Sequence, residues 1–281
     1  MRLFKRHPLV PVLRFSGPIG MAMPLKPGLS LATSAAAIER AFTISKCKSV
    51  ALLINSPGGS AVQSRLIFAR IRALAKENEK KVYAFCEDAA ASGGYMLACA
   101  GDEIYADPSS IVGSIGVISS GFGLDKAIEK FGIERRVYTA GTNKGALDPF
   151  LPERADDIER LKAMQRGVHE VFSSLVRERR GARLKDDPDL FTGAFWAGAD
   201  AVQLGLVDGL ADLRGKMQEL HGEDVRLRVV PMEGGGWLSR RLRRLPGMGR
   251  TAALAPHSAL NWADELISAV EARALWSRIG L

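Results

Sequence analysis

Two short segments carry residue types and spacings that could do chemistry. The first is Asn55-Ser56-Pro57-Gly58-Gly59-Ser60. It follows the apolar run Ser49 to Ile54 and precedes a helical pattern. Pro57 removes one backbone donor, and the N–H groups of Gly58 and Gly59 stand free at a helix start. Such a pair can hold a phosphate or a developing oxyanion. The second is Ser92-Gly93-Gly94, also between a strand-like run and a helix. A serine there offers a hydroxyl beside small neighbours, which leaves room for a substrate backbone. Taken alone, Ser92 reads equally well as an ordinary helix N-cap, and Pro-Gly-Gly as a plain turn. Neither segment is a nucleotide loop: there is no G-x-x-x-x-G-K-[ST] and no G-x-G-x-x-G after a strand. Nor does Ser92 sit in G-x-S-x-G, because Ala90 holds the glycine position.

A nucleophilic Ser92 needs a base. His7 lies in a basic opening stretch, His169 inside a charged helix, His221 beside Gly222, and His257 after a glycine linker. None falls between Ser92 and Lys144, so the spacing does not support a nearby Ser-His pair. The remaining candidate is a lysine, which must be partly desolvated to carry a free lone pair. Lys144 stands in the uncharged stretch Thr139-Ala140-Gly141-Thr142-Asn143-Lys144-Gly145-Ala146-Leu147, whereas Lys126, Lys130 and Lys162 sit among charges. Read by spacing, Lys144 is either this base or a surface loop lysine. Cys47, Cys86 and Cys99 are too few and scattered for a disulfide framework or zinc cage. Cys86 and Cys99, in apolar surroundings, read as buried thiols, which fits a reducing compartment.

The elements that must position these residues alternate in type. Strands are expected at Leu9 to Phe15, Ser49 to Ile54, Lys81 to Cys86, Glu103 to Ala106, Ile115 to Ser119, Arg135 to Tyr138 and Val225 to Val230. Helices are expected at Ser30 to Lys46, from Ser60 to about Glu79 with Val62, Leu66, Ile67, Ala69, Ile71 and Leu74 inward, and from Gly93 through Cys99. Further helices are expected at Gly123 to Phe131, Glu153 to about Arg180, Trp196 to Leu204 and Leu210 to His221. This rhythm, with continuous apolar strands, predicts an α/β fold with a largely parallel sheet, whose sites form at the strands' carboxyl ends. At Glu233-Gly234-Gly235-Gly236 the character changes. Residues 1–231 are expected to form the body, and 232–281 a glycine-linked, basic, amphipathic helical extension.

With 281 residues, 47% hydrophobic and 25% charged, the chain can bury a sizeable core. Its net charge of +8 sits at the ends: +5 on residues 1–30 and +5 on 226–281, leaving −2 between. That distribution argues against nucleic acid as a partner and suits contact with an anionic membrane surface or an acidic partner. The opening Met-Arg-Leu-Phe-Lys-Arg-His-Pro lacks an apolar stretch of signal-peptide length, and no run of 18 apolar residues occurs. The expected location is cytoplasmic, with peripheral contact at the inner membrane optional.

Several segments together resemble the S49 serine peptidases, the signal peptide peptidase A family with its SohB-like relatives. They are Asn-Ser-Pro-Gly-Gly-Ser at 55–60, Ala-Ala-Ala-Ser-Gly-Gly-Tyr at 89–95, Asp107 through Val117, Thr139-Ala140-Gly141 leading to Lys144, and Ala201 through Asp208. The resemblance implies a ClpP/crotonase-type β-α superhelix and a Ser-Lys dyad, with Ser92 as nucleophile and Lys144 as general base. It implies oxyanion donors among the amides of Gly58, Gly59 and Gly93. It also implies peptide or unfolded-protein substrates, remnant signal peptides among them, no metal or cofactor, and a homo-oligomer whose adjacent subunits can share a dyad. The Ser109 to Ser114 stretch is open as groove lining or turn. Two other classes stand beside this one: a crotonase-type acyl-CoA enzyme using the same glycines, and a non-catalytic assembly protein acting through its basic extension.

Overall fold

The computed structural model describes residues 7–20, 28–232, 270 and 273–281. Most of the 232–281 extension therefore lies outside the described residues. The first strand, β1 (Leu9–Ser16), is followed by α1 (Leu31–Thr43), capped by Ser30 with Thr33 in a reciprocal capping box. Next come β2 (Ser49–Ser56), α2 (Ala61–Glu77) and β3 (Lys81–Ala91). Then α3 (Gly93–Ala98), β4 (Glu103–Ala106) and β5 (Ile111–Gly113) follow. The second half holds α4 (Asp125–Lys130), α5 (Ala155–Arg180), β6 (Phe195–Ala197), α6 (Gly198–Gln203), β7 (Gly209–Leu210), α7 (Leu213–His221) and β8 (Arg226–Val229).

The sheet runs β6-β5-β3-β2-β1-β8, with β4 and β7 branching from β3. Every pairing is parallel except β5 with β6. Alternation along each strand sends side chains to opposite faces. Leu13, Phe15, Leu52 and Ile54 enter the larger core with α1, α2 and α3, while Val10, Val12, Ala51, Tyr83 and Phe85 face Met217 of α7. Both faces are covered, which is why the strands read as continuous apolar runs.

The strand that carries the site is β3. Its first half pairs with β4 from Tyr83 to Cys86, and its last residues pair with β5 from Ala89 to Ala91. Between them the register against β2 slips, so that Ile54 faces Cys86 but Ser56 faces Ala90. Local hydrogen bonds hold this irregular stretch. The Ser110 hydroxyl donates to the Glu87 carbonyl (2.6 Å), and the Ala89 N–H reaches the Asn55 side-chain oxygen (3.3 Å). Ser110 is therefore a structural member of the Ser109 to Ser114 stretch.

Several expected elements differ. Ile115 to Ser119 is not a strand; the strand lies earlier, and positive φ at Gly113 (113°) and Ser114 (52°) turns the chain out of the sheet. Arg135 to Tyr138 is irregular, because no neighbouring strand lies alongside it among the described residues; Tyr138 is 92% exposed. Trp196 belongs to β6, opposite Val112, rather than to the following helix. On α2 the inward face is Ser64, Ile67, Ile71, Leu74 and Ala75, leaving Val62, Leu66 and Ala69 exposed.

Candidate active site

Ser92 ends β3 and opens α3, at the carboxyl edge of the sheet. Its φ is 53° and its ψ −121°, a region that L-residues avoid. Its side chain makes no capping hydrogen bond, so Ser92 holds the N-cap position without doing the N-cap's work. The backbone is pinned there: the Ser92 N–H donates to the Gly113 carbonyl (2.8 Å), and its carbonyl accepts from Met96 N–H (3.0 Å). The result is a strand–turn–helix with Ser92 at its corner, built without the G-x-S-x-G motif.

The Pro57-Gly58-Gly59 turn packs against this corner. Gly58 has φ 103°, and a Cβ placed on it would lie 2.7 Å from the Ser92 Cβ and 2.9 Å from the Gly93 nitrogen. Gly59 has φ 136°, and a Cβ there would lie 2.2 Å from the Ile19 carbonyl oxygen. Only glycine permits this approach. The Gly58 N–H is engaged by the Ser56 hydroxyl (3.2 Å), which in turn donates to the Gly17 carbonyl (2.8 Å). The amides of Gly59 and Gly93 make no hydrogen bond among those described. Two free donors thus flank Ser92.

These groups line a cavity of about 780 Å³. Gly59, Ser92, Gly93 and Ser114 supply its polar part, while Ile19, Met96, Val117, Phe172 and Phe195 supply apolar walls. Ala274, Leu275, Arg278 and Ile279 of the last described segment also border it. Ser114 turns the chain with its positive φ (52°), donates its N–H to the Ala194 carbonyl (2.7 Å) and borders this cavity.

No histidine among the described residues borders the cavity; His169 lines a smaller adjoining one of about 250 Å³, its Nε2 buried without a partner among them. Lys144 does not border the cavity either. It is exposed, in a turn closed by its own N–H on the Gly141 carbonyl (3.1 Å). Within one chain, then, Ser92, Gly59 and Gly93 come together and Lys144 stands apart. Burial pushes the thiols of Cys86 and Cys99 up to about 12, so neither is a thiolate nucleophile. Among the described residues no three His, Cys, Asp or Glu side chains are grouped to hold a metal ion.

One supporting group escaped the sequence reading. Arg180 looks like another charge on a charged helix, yet its side chain is 1% exposed and forms a two-pronged pair with Asp208 (2.8 and 3.1 Å). Burial is the largest influence and opposes the Asp208 charge, but the Arg180 hydrogen bonds, the Ile104 N–H and the charges of Arg180 and Arg183 together hold the carboxyl below its usual range. Arg180 also donates to the Gly205 carbonyl (2.8 Å), and the Tyr95 hydroxyl to the Leu206 carbonyl (2.7 Å). This network ties α5 to the 205–208 turn and, through Tyr95, to α3 behind Ser92. The only sequence signal was Asp208 itself, closing the last matching segment.

The model of a family described as Peptidase family S49 matches residues 74–225, more than half of the chain. This chain belongs to peptidase family S49. Its sheet and flanking helices accordingly form the ClpP/crotonase-type fold. The matched span contains Ser92, Gly93 and Lys144; Gly58 and Gly59 precede it. Over 275 residues, 97% of this chain, it is 51% identical to a Brucella abortus (strain 2308) protein called Na(+)/H(+) antiporter NhaA, covering 37% of that protein. Over 60% of this chain it is 34% identical to serine protease SPPA, chloroplastic, of Arabidopsis thaliana, covering 25% of that relative. Over 64% it is 32% identical to protease 4 of Salmonella typhi, covering 29%. The chain thus spans well under half the length of these three relatives. Among its described residues no helix is long and apolar enough to cross a membrane.

Proposed function

We propose that this S49 chain is a serine peptidase that cleaves peptides or unfolded protein segments, with Ser92 as nucleophile. The observation that carries the reading is the Ser92 corner: a strained serine that caps nothing, between the unengaged amides of Gly59 and Gly93, on the wall of a cavity large enough for part of a peptide. The names of the Arabidopsis and Salmonella relatives agree with it.

Lys144 is the proposed base, supplied by a second copy of the chain. Two observations support that arrangement: Lys144 does not border the cavity of its own chain, and residues 117–156, which carry it, hold no buried residue. That arm exposes Phe122 (86%), Phe131 (78%) and Tyr138 (92%). A patch of this kind is what an interface between copies would cover.

In the proposed reaction the neutral amine of Lys144 takes the proton from the Ser92 hydroxyl. The oxygen bonds to the peptide carbonyl carbon, and the Gly59 and Gly93 amides hold the resulting oxyanion. Collapse breaks the C–N bond, and the lysine ammonium returns its proton to the leaving amine. Water, deprotonated by the same lysine, then attacks the acyl ester and releases the acid and Ser92. The apolar walls favour substrates with large apolar side chains beside the cleaved bond.

The test is hydrolysis of a quenched fluorescent apolar peptide by the unaltered chain, Ser92→Ala, Lys144→Ala, and an equimolar mixture of the two variants. Each variant alone should lose at least 10³-fold in kcat/KM, and the mixture should regain activity at interfaces that pair an intact Ser92 with an intact Lys144. Full activity in Ser92→Ala would overturn the reading. Loss in both variants without recovery on mixing would overturn only the sharing between copies.

A further inference from the structure

We propose that the segment 273–281 is a resident occupant of the Ser92 cleft, a helical plug that must leave before an extended peptide can enter. The inference rests on reading that cleft as a peptide-binding site. Its basis is where the segment lies. Ala274, Leu275, Arg278 and Ile279 border the same cavity as Ser92, Gly59 and Gly93. Ile279 is 6% exposed and packs with Ala89 and Ala91, the end of the strand that delivers Ser92, with Ile111 and Trp276 at its edge. Without the segment, those sheet residues would present an apolar strip beside the nucleophile.

The form of the segment makes it a plug rather than a substrate. Residues 273–277 are helical. The backbone beyond them folds on itself: Arg278 N–H donates to the Ala274 carbonyl (3.3 Å), Ile279 and Leu281 N–H to Trp276 (3.0 and 3.2 Å), and Gly280 N–H to Ser277 (3.2 Å). A serine peptidase attacks a carbonyl held in extended chain, with its oxygen turned to the oxyanion donors. Here the carbonyls of Ala274, Trp276 and Ser277 are committed to local bonds. Leu275 on the helix and Ile279 in the turn after it both border the cavity, so an apolar pair anchors the segment. The plug therefore blocks the cleft and stays uncut.

The test uses the full chain carrying Ser92→Ala, so that nothing is cleaved, with and without Leu275→Asp and Ile279→Asp together. A fluorescein-labelled peptide of residues 270–281 is titrated into each and read by anisotropy. Releasing the plug should tighten apparent binding of the peptide at least tenfold. Equal binding to both chains, or binding to neither, would overturn the proposal. Hydrogen exchange on the unsubstituted chain is a second measurement that does not depend on the variant's folding. The amides of Ile279, Gly280 and Leu281 should exchange at least tenfold more slowly than in the free peptide, and exchange at the free-peptide rate would overturn it. Neither readout needs catalysis. A peptidase-dead chain with a seated plug would count against the proposed function and for this inference; an active chain with an unseated segment would do the reverse.

Discussion

Ser92 pays for its position in backbone strain, and that gives a stability prediction independent of catalysis. At φ 53° and ψ −121° a side chain costs about 1–3 kcal/mol that glycine does not. Ser92→Gly should therefore be more stable than Ser92→Ala by about 1 kcal/mol, although both lack the hydroxyl; chemical denaturation of the two variants checks it. Gly58→Ala tests the neighbouring contact. The added Cβ would fall 2.7 Å from that of Ser92, so the nucleophile must shift, and peptide hydrolysis should drop by about 10²-fold, as expected when a reacting atom is displaced by about 1 Å. Spacing alone left Ser92 open as an N-cap and Pro-Gly-Gly as a turn; it was the S49 resemblance that singled out Ser92, Gly59 and Gly93, which the fold brings together. The strain was not legible, since Ala90 breaks the usual elbow motif and φ is spelled by packing. Nor was the engagement of the Gly58 amide by Ser56, which depends on a side-chain rotamer.

Elements that hold the corner depend on polar groups hidden among charges. Arg180→Met should cost about 3 kcal/mol, the low end for breaking a buried pair, because Arg183 still reaches Asp208 at 3.2 Å. Thermal unfolding measures the loss, and the disorder should reach α3 through Tyr95. His221 closes α7 and docks it on β2, its Nε2 3.0 Å from the Ser49 hydroxyl. Burial lowers its pKa below the ordinary 6.5. The folded state thus favours the neutral ring, so stability is fully present above about pH 6.5 and falls as pH drops through the folded value. Melting temperatures between pH 7.5 and 5 should decline, and less steeply in His221→Gln. Buried strands were legible from their apolar runs. Short pieces that pair only through tertiary contact were not: β6 reads as helix, and Arg135 to Tyr138 reads as a strand although no partner lies beside it.

At the scale of the whole molecule, the chain is a well-packed sheet with an arm that packs against little. Residues 117–156 bury nothing among the described residues, yet carry several large apolar side chains. If a second copy covers them, Phe122→Ser with Tyr138→Ser should shift the assembly to smaller species in analytical ultracentrifugation and lower hydrolysis in step. This feature was hidden in the sequence, because Phe122, Phe131 and Tyr138 lie outside any helix or strand and no periodicity marks them as exposed or buried. The seat of residues 273–281 was hidden for a related reason: the glycine linker marks a boundary but says nothing of where the chain returns. The central claim is that Ser92 is the nucleophile. It is tested most directly by treating the full chain with a fluorophosphonate and mapping the adduct by peptide mass spectrometry. The account predicts a single phosphonylated peptide containing Ser92, absent in Ser92→Ala. Labelling at another residue, or labelling undiminished in Ser92→Ala, would contradict it.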